Sequence, residues 1–115
     1  MRERKFIIIK DWTNKNVKIR IGYPIYHRDL LNKDDEKNHL ECVGGGRWMV
    51  NFETKKFKLF GSSDDFGNPN KKDIEQAIKN LTKHDWWQIS WIIEQVYEVE
   101  INEDELAKYK FIIDY

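Results

Sequence analysis

The sequence predicts a single-domain α/β protein. Its 115 residues are 40% hydrophobic and include five tryptophans, which is enough apolar surface to form the core of one compact domain. Apolar residues alternate with polar ones in several short segments, as in β-strands, and they recur at helical spacing after Asn70. Strands and helices therefore share one unit spanning residues 1–115, because no linker, repeat or low-complexity segment divides the chain.

The charge balance and the cysteine content exclude several classes of protein. Lysine plus arginine and aspartate plus glutamate both number 20, so no basic surplus indicates nucleic-acid binding. The apolar run Phe6–Ile9 is far shorter than the roughly 18 residues of a membrane span, and no signal peptide is apparent. Cys42 is the single cysteine, which fits a reducing compartment. We therefore expect a cytoplasmic protein with no nucleic-acid or membrane partner.

The first third of the chain predicts two strands and a helix. Lys5–Lys10 is a β-branched run without polar alternation, which is typical of an interior strand buried on both faces. Turn residues at Thr13–Asn16 separate it from Val17–Ile21, whose alternation predicts a half-exposed strand. A helix is expected to begin near His27 and to fade into the charged run 32–38, which we interpret as a solvated surface.

The middle of the chain predicts a hairpin followed by a helix. Arg47–Asn51 and Lys56–Phe60 have strand patterns and are joined by a polar turn. Asn70 and Asp73 have the positions of an N-cap and a first-turn carboxylate, and they open a helix that continues to Leu81.

The segment from Trp86 to Ile101 fits two patterns. Apolar residues alternate with polar ones, as in strands, yet Trp86, Ile89, Ile93 and Val96 also share one face of a helix. We favour strands, because the polar residues fall at the alternate positions. A short helix capped by Asn102, with Glu105 three residues later, is expected before the final segment 111–115.

Glycines are concentrated between Glu41 and Gly67. Three of them, Gly44–Gly46, precede Arg47, and two more bracket the sequence Ser-Ser-Asp-Asp-Phe. Glycine tolerates positive φ and lets backbone N–H groups approach a ligand closely. The pattern therefore predicts glycine loops that can bind an anion.

The same stretch resembles the core signature of the protein histidine phosphatase (Janus) family. The shared pattern is Glu-Cys-x-Gly-Gly-Gly-Arg, then Lys-Lys, then aromatic-Gly-x-Ser-x-x-aromatic-Gly. Upstream, Tyr26-His27 followed by Arg28 and Asp29 resembles the active-site segment, and Lys5 resembles the N-terminal lysine of the family. The resemblance covers about the first 80 positions, and residues from about 86 to 115 form a divergent C-terminal extension.

The resemblance implies a small α/β domain with a mixed β-sheet flanked by helices. It also implies metal-independent hydrolysis of phosphohistidine in proteins, with neither a metal nor another cofactor. His27 would activate the attacking water, and histidine suits that role because its pKa lies near neutrality. Lys5 would bind the phosphoryl group. The other phosphate-binding candidates are Arg28, Gly44, Gly45, Gly46, Arg47, Ser63 and Asp65.

These candidates match what phosphoryl transfer requires, namely positive charge and hydrogen-bond donors around the phosphoryl oxygens. Asp65 departs from the pattern, because the animal enzymes of the family carry a small neutral residue there and a carboxylate repels phosphate. Asp65 is compatible with binding if only its backbone faces the pocket. Asp64 and Asp65 lack a third ligand at metal-binding spacing, and Cys42 is interpreted as a small buried residue.

A second function stays open beside hydrolysis. A non-catalytic relative would keep the fold and use the anion pocket to bind phosphate or a phosphopeptide. The tryptophan-rich region Trp86–Trp91 would offer another surface for a protein partner. The predicted partner is accordingly a phosphorylated protein in either case.

Overall fold

A computed structural model describes residues 2–115 and places five strands in one sheet. The strands are β1 (Lys5–Asp11), β2 (Val17–Gly22), β3 (Leu40–Asn51), β4 (Lys56–Phe60) and β5 (Lys110–Ile113). The α-helices are α1 (Lys71–Lys79), α2 (Lys83–Tyr97) and α3 (Glu103–Leu106). The strand order is β2-β1-β3-β4-β5, antiparallel except for the parallel pair β4 and β5. This mixed sheet with helices is the α/β architecture that the sequence predicts.

One face of the sheet, which we call the helix face, carries the hydrophobic core. Strand residues Phe6, Trp48 and Leu59 are fully buried there against Ile74 of α1 and Ile93 of α2. The Trp48 ring stacks on that of Phe57 with 5.7 Å between centroids, and its indole N–H donates to the Gly22 carbonyl at 2.9 Å. Since buried aromatic side chains contribute large apolar areas, this cluster accounts for much of the fold's stability.

Strand β1 is the interior strand that its sequence predicts. It lies between β2 and β3, and Phe6–Ile9 are all buried. Phe6 and Ile8 join the core on the helix face, whereas Ile7 and Ile9 alternate to the opposite face. Both faces of β1 are therefore covered, which explains a run of apolar residues without polar alternation.

The opposite face is covered by the segment between β2 and β3, residues 23–39. Arg20 of β2 donates two hydrogen bonds to the buried Asp35 carboxylate, at 2.7 and 2.8 Å. These bonds from Arg20 hold the pKa of Asp35 below its ordinary range. The prediction of a wholly solvated run at 32–38 is thus wrong at Asp35, which fastens this segment to the sheet.

Helix α2 corrects the strands predicted between Trp86 and Ile101. Thr82 and Asp85 form a capping box, with bonds of 2.9 and 3.1 Å between each side chain and the other's backbone N–H. Ile89 and Ile93 lie in the core, whereas Trp87 and Trp91 are each 53% exposed. Two exposed tryptophans one helical turn apart produced the misleading alternation of apolar residues.

The final segment completes the sheet. Asn102 caps α3 by accepting a hydrogen bond from the Glu105 N–H at 2.8 Å, and Asn70 caps α1 in the same manner through Lys72, also at 2.8 Å. Strand β5 then places the Phe111 ring 4.9 Å from that of Phe57, measured between centroids. The C-terminal segment is therefore part of the core. Within residues 2–115, no helix combines the length and apolar character required to cross a membrane.

Candidate functional site

The face of the sheet opposite the helices, which we call the cleft face, carries a row of three side chains. Lys5 of β1 pairs with Arg47 of β3, and Arg47 pairs in turn with Phe60 of β4. Directly opposed residues of antiparallel strands project to the same side of a sheet. All three side chains accordingly line a cleft of about 480 Å³. The remaining lining residues are Tyr26, His27, Arg28, Gly61, Ser62, Asp64 and Asp65.

His27 enters this cleft from the segment that covers the sheet. It begins a single turn of 3₁₀ helix, His27–Leu30, which the Asp29 carboxylate caps by accepting from the Tyr26 N–H at 2.9 Å. The α-helix predicted to begin near His27 is therefore absent, and a single 3₁₀ turn takes its place. The His27 side chain is buried and rests on β3 at Gly45.

The three consecutive glycines lie in β3 and not in the predicted loop. They pair with Phe6, Ile7 and Ile8 of β1. A Cβ atom on Gly45 would lie 2.9 Å from Cδ2 of His27, while side chains on Gly44 and Gly46 would collide with Pro69 and Tyr115 respectively. Glycine is needed at these positions for close packing, and the run brings His27 against the strand. Three consecutive glycines cannot show the alternation of apolar and polar side chains that marks a strand, so the sequence pattern did not indicate a strand at these positions.

The hydrogen bond of His27 defines which ring nitrogen can act as a base. Nε2 lies 2.8 Å from the Gly46 carbonyl oxygen, which can only accept, so Nε2 carries the proton. In the neutral ring Nδ1 is then an acceptor. Cδ2, the carbon bonded to Nε2, faces Gly45. Nδ1 consequently lies on the edge of the ring that points away from the sheet.

Several groups act on the pKa of His27. Burial lowers it most, the hydrogen bond to Gly46 raises it, and the nearby Lys5 ammonium lowers it further. The net result is a pKa below the ordinary value of 6.5. His27 is therefore largely neutral at pH 7, which is the form that can accept a proton.

Lys5 and Arg47 are held in place by a shared carboxylate. The Glu3 Oε2 atom lies 3.0 Å from the Arg47 guanidinium and 3.8 Å from the Lys5 ammonium. Lys5 also donates a hydrogen bond to the Ile25 carbonyl, and the stem of Arg47 packs against Gly61. The structure thus brings the two predicted phosphate-binding cations together beside His27.

Arg28 and Asp65 pair with each other at the same cleft. The Arg28 guanidinium lies 4.2 Å from the centroid of the Tyr26 ring and 3.8 Å from the Asp65 carboxylate. Asp65 lines the cleft, and its carboxylate contacts Arg28, another lining residue. The condition that only its backbone faces the pocket is therefore not met, and Arg28 offsets part of its negative charge.

The loop 61–67 takes its shape from two glycines and a buried serine. Gly61 and Gly67 have φ angles of +74° and +73°, which glycine adopts readily. Ser63 is buried, and its hydroxyl oxygen accepts from the Phe66 N–H at 3.1 Å, so it supports the loop and does not line the cleft. Within residues 2–115, the backbone N–H groups of Asp64 and Asp65 donate to no other group.

Five cleft residues were not among the predicted site residues, namely Tyr26, Phe60, Gly61, Ser62 and Asp64. Phe60 lies opposite Arg47, a relation that only the strand register reveals. Tyr26 precedes His27, and Ser62 precedes Ser63, so proximity in sequence was the available signal for both. Whether a residue next to a predicted site residue also lines the cleft depends on backbone turns that no sequence motif specifies.

The other reactive side chains lie away from the cleft. The Cys42 thiol donates to the Gly44 carbonyl at 3.4 Å, and burial raises its pKa, so it stays protonated. His39 and His84 do not line the cleft either. In the part of the chain that the structure describes, no three histidine, cysteine, aspartate or glutamate side chains converge as a metal site.

Comparison with known proteins places this site in a family. A search of curated proteins gave no significant match. A family model described as Janus/Ocnus family (Ocnus) matches residues 5–85, which is more than half of the chain. The match includes all the predicted site residues and ends early in α2. The chain therefore belongs to the Janus/Ocnus family.

Proposed function

We propose that this protein hydrolyses phosphohistidine in proteins without a metal cofactor. The observation that carries the proposal is the state of His27, a neutral imidazole whose Nε2–H is bonded to Gly46 and whose Nδ1 accepts no hydrogen bond within residues 2–115. This base lines the same cleft as Lys5 and Arg47. A base beside two cations is what hydrolysis of a phosphoryl group requires.

The cations would bind the phosphoryl oxygens. The Lys5 ammonium lies deepest in the row, because most of its side chain is buried and its position is set by Ile25 and Glu3. Arg47 is more exposed and presents a planar guanidinium suited to two phosphoryl oxygens at once. The unpaired N–H groups of Asp64 and Asp65 are further donors at the rim.

His27 would then activate water for attack on phosphorus. Nδ1 takes one proton from the water, whose oxygen forms the new bond to phosphorus. The P–N bond breaks with its electron pair on the substrate nitrogen, which takes a proton from solvent. Positioning and charge stabilisation supply most of the catalysis in such reactions, so a site with one base and two cations is sufficient.

Phosphate release from a chemically phosphorylated histidine polypeptide tests this function. We expect turnover by the wild type in the presence of a chelator and a loss of at least about a hundredfold in His27→Ala, because general-base catalysis typically contributes that much. His84→Ala is the matched control, since that ring lies outside the cleft and stacks on Trp87. Unchanged turnover in His27→Ala would refute the proposal.

Phosphopeptide binding without hydrolysis is the second candidate, supported by the cations Lys5 and Arg47 of the same cleft. Asp65 lines the cleft and would oppose the charge that develops on a transferring phosphoryl group. This candidate predicts no hydrolysis but saturable binding of a phosphohistidine peptide, weakened in Lys5→Ala. Titration calorimetry with a phosphonate analogue, whose P–C bond resists hydrolysis, measures this binding, and the absence of phosphate release from phosphohistidine distinguishes this function from the first.

A further inference from the structure

Within the proposed phosphatase function, on which this inference rests, we propose that the preferred substrate is phosphoarginine and that Asp65 binds its guanidinium. The structural basis is a guanidinium position already present in the cleft. Arg28 of the chain itself occupies that position, between the Tyr26 ring and the Asp65 carboxylate. The three residues line the same cleft as His27.

The contact between Arg28 and Asp65 is weak enough to be replaced. Its N···O distance is 3.8 Å, longer than a hydrogen bond, and the two side chains are 58% and 39% exposed. Exposed ion pairs of this kind contribute little to stability. A substrate guanidinium attached to a bound phosphoryl group can therefore displace Arg28 at small cost.

The cleft has opposite charges on its two sides. Lys5 and Arg47 project from the sheet, whereas Asp64 and Asp65 belong to the loop 61–67. His27 lines the same cleft as both sets of charges, and there the charges of Lys5 and Arg47 lower its pKa while that of Asp65 raises it. A ligand that matches this arrangement carries a phosphoryl anion bonded directly to a cation.

Phosphoarginine has this charge distribution. Its guanidinium remains protonated, presents a planar fork to a carboxylate and stacks on aromatic rings. The imidazole of phosphohistidine is a weaker cation, because histidine titrates near pH 6.5. Phospholysine offers only a compact charge without a planar face. Tyr26 and Asp65 therefore favour the guanidinium among the three phosphoramidates.

The reaction follows the course proposed above. Water gives a proton to Nδ1 of His27, its oxygen bonds to phosphorus, and the P–N bond breaks with its electron pair on the guanidine nitrogen. That nitrogen takes one proton from solvent, so the products are arginine and hydrogen phosphate. Asp65 holds the departing guanidinium throughout.

Three peptides of identical flanking sequence, carrying phosphoarginine, phosphohistidine or phospholysine, test the inference with the full chain. We expect the highest kcat/KM for phosphoarginine. Asp65→Asn should lower that value by at least about tenfold, the usual effect of losing a hydrogen bond between charged groups. The same variant should raise phosphohistidine turnover, because it removes a carboxylate that opposes the charge on the phosphoryl group. Asp34→Asn, an exposed carboxylate outside the cleft, is the matched control.

Arg28→Ala provides an independent test of the occupied position. Because it vacates the space between Tyr26 and Asp65, it should lower KM for phosphoarginine while kcat changes little. A loss of activity shared equally by all three peptides in Asp65→Asn, or a preference for phospholysine, would overturn the inference. Hydrolysis of phosphohistidine alone would also overturn it but leave the proposed function intact, and no hydrolysis of any peptide would refute both.

Discussion

The two faces of the sheet differ in what their residues do. Trp48 and Arg47 are neighbours in β3, yet Trp48 is 0% exposed in the core and Arg47 has half of its side chain exposed in the cleft. The helix face is apolar and covered by two helices, whereas the cleft face carries cations, carboxylates and His27. Alternation along a single strand thus separates residues that stabilise the fold from residues that can bind a ligand.

The glycines of β3 connect the two faces. Gly45 gives His27 room on the cleft face, and the Gly46 carbonyl accepts the proton of Nε2. On the helix face, a side chain at Gly46 would collide with Phe6. The same backbone therefore serves packing on one side and the orientation of the His27 ring on the other.

Replacing Trp48 or Arg47 with alanine, one residue at a time, should give the largest difference in stability between the two faces. Trp48→Ala is expected to lower the free energy of unfolding by about 3–5 kcal/mol, the usual cost of truncating a large buried aromatic residue. Arg47→Ala should cost less than about 1 kcal/mol, because its ion pair with Glu3 is exposed. Urea denaturation measures both, and similar losses in the two variants would contradict the division between faces.

Gly45→Ala should remove activity while the fold persists. Its Cβ would lie 2.9 Å from both the His27 ring and the Phe6 carbonyl oxygen, so His27 must shift. We expect a loss of about a hundredfold in phosphohistidine turnover, because small displacements of a catalytic group are that costly.

Met49→Ala is the matched control for this change. Met49 lies two positions beyond Arg47 on the cleft face and does not line the cleft. Full activity in Gly45→Ala, with a native ¹H–¹⁵N spectrum, would show that the contact between this glycine and His27 is not required.

The lowered pKa of His27 predicts the shape of the pH profile. Below that pKa the ring is protonated and cannot accept a proton, so kcat/KM should fall about tenfold per pH unit. The fall should begin below pH 6.5 and the rate should be level above it. A midpoint above 6.5 in the initial-rate profile would contradict the dominant effect of burial.

The same shift makes stability depend on pH in a known direction. In the unfolded chain His27 titrates near 6.5, and in the folded chain it titrates lower. Between these values the unfolded state binds more protons, so the free energy of unfolding decreases as the pH falls through that window. In His27→Gln, the free energy of unfolding should lose this part of its dependence on pH. Denaturation at a series of pH values measures the difference.

Of the two tryptophans at the start of α2, the exposed Trp87 should show the smallest effect. Trp87 is 53% exposed, so Trp87→Ala should change stability by no more than about 0.5 kcal/mol. Trp86 packs against the core beside Phe111, with 5.8 Å between ring centroids, and Trp86→Ala should cost more. Thermal unfolding measures both variants. A larger loss of stability in Trp87→Ala than in Trp86→Ala would indicate the strand pairing that the sequence pattern suggested.

Sequence reasoning succeeded where side chains report their surroundings directly. The apolar run of β1, the alternation of β2 and β4, and the caps at Asn70 and Asn102 all lie where they were predicted. Each of these signals is local, because burial or a cap determines the residue type at that position.

It failed where the decisive contacts are distant in sequence. Glycines 44–46 carry no side chains, so their pairing with β1 left no pattern, and Asp35 became buried only because Arg20 lies opposite it. Trp87 and Trp91 are apolar yet exposed, which falsified the alternation used for the segment 86–101. In the cleft, the convergence of His27 and Lys5 was implied by family resemblance. The position of Phe60 in the cleft, in contrast, follows only from the register between β3 and β4.

The protonation state of His27 is the most direct test of this account. Long-range ¹H–¹⁵N correlation spectra of the labelled wild-type protein, assigned with His27→Gln, distinguish the two tautomers and give the pKa. We expect a proton on Nε2, an unprotonated Nδ1 at pH 7 and a midpoint below 6.5. A proton on Nδ1 in the neutral ring, or a midpoint above 6.5, would contradict the assignment of His27 as the base.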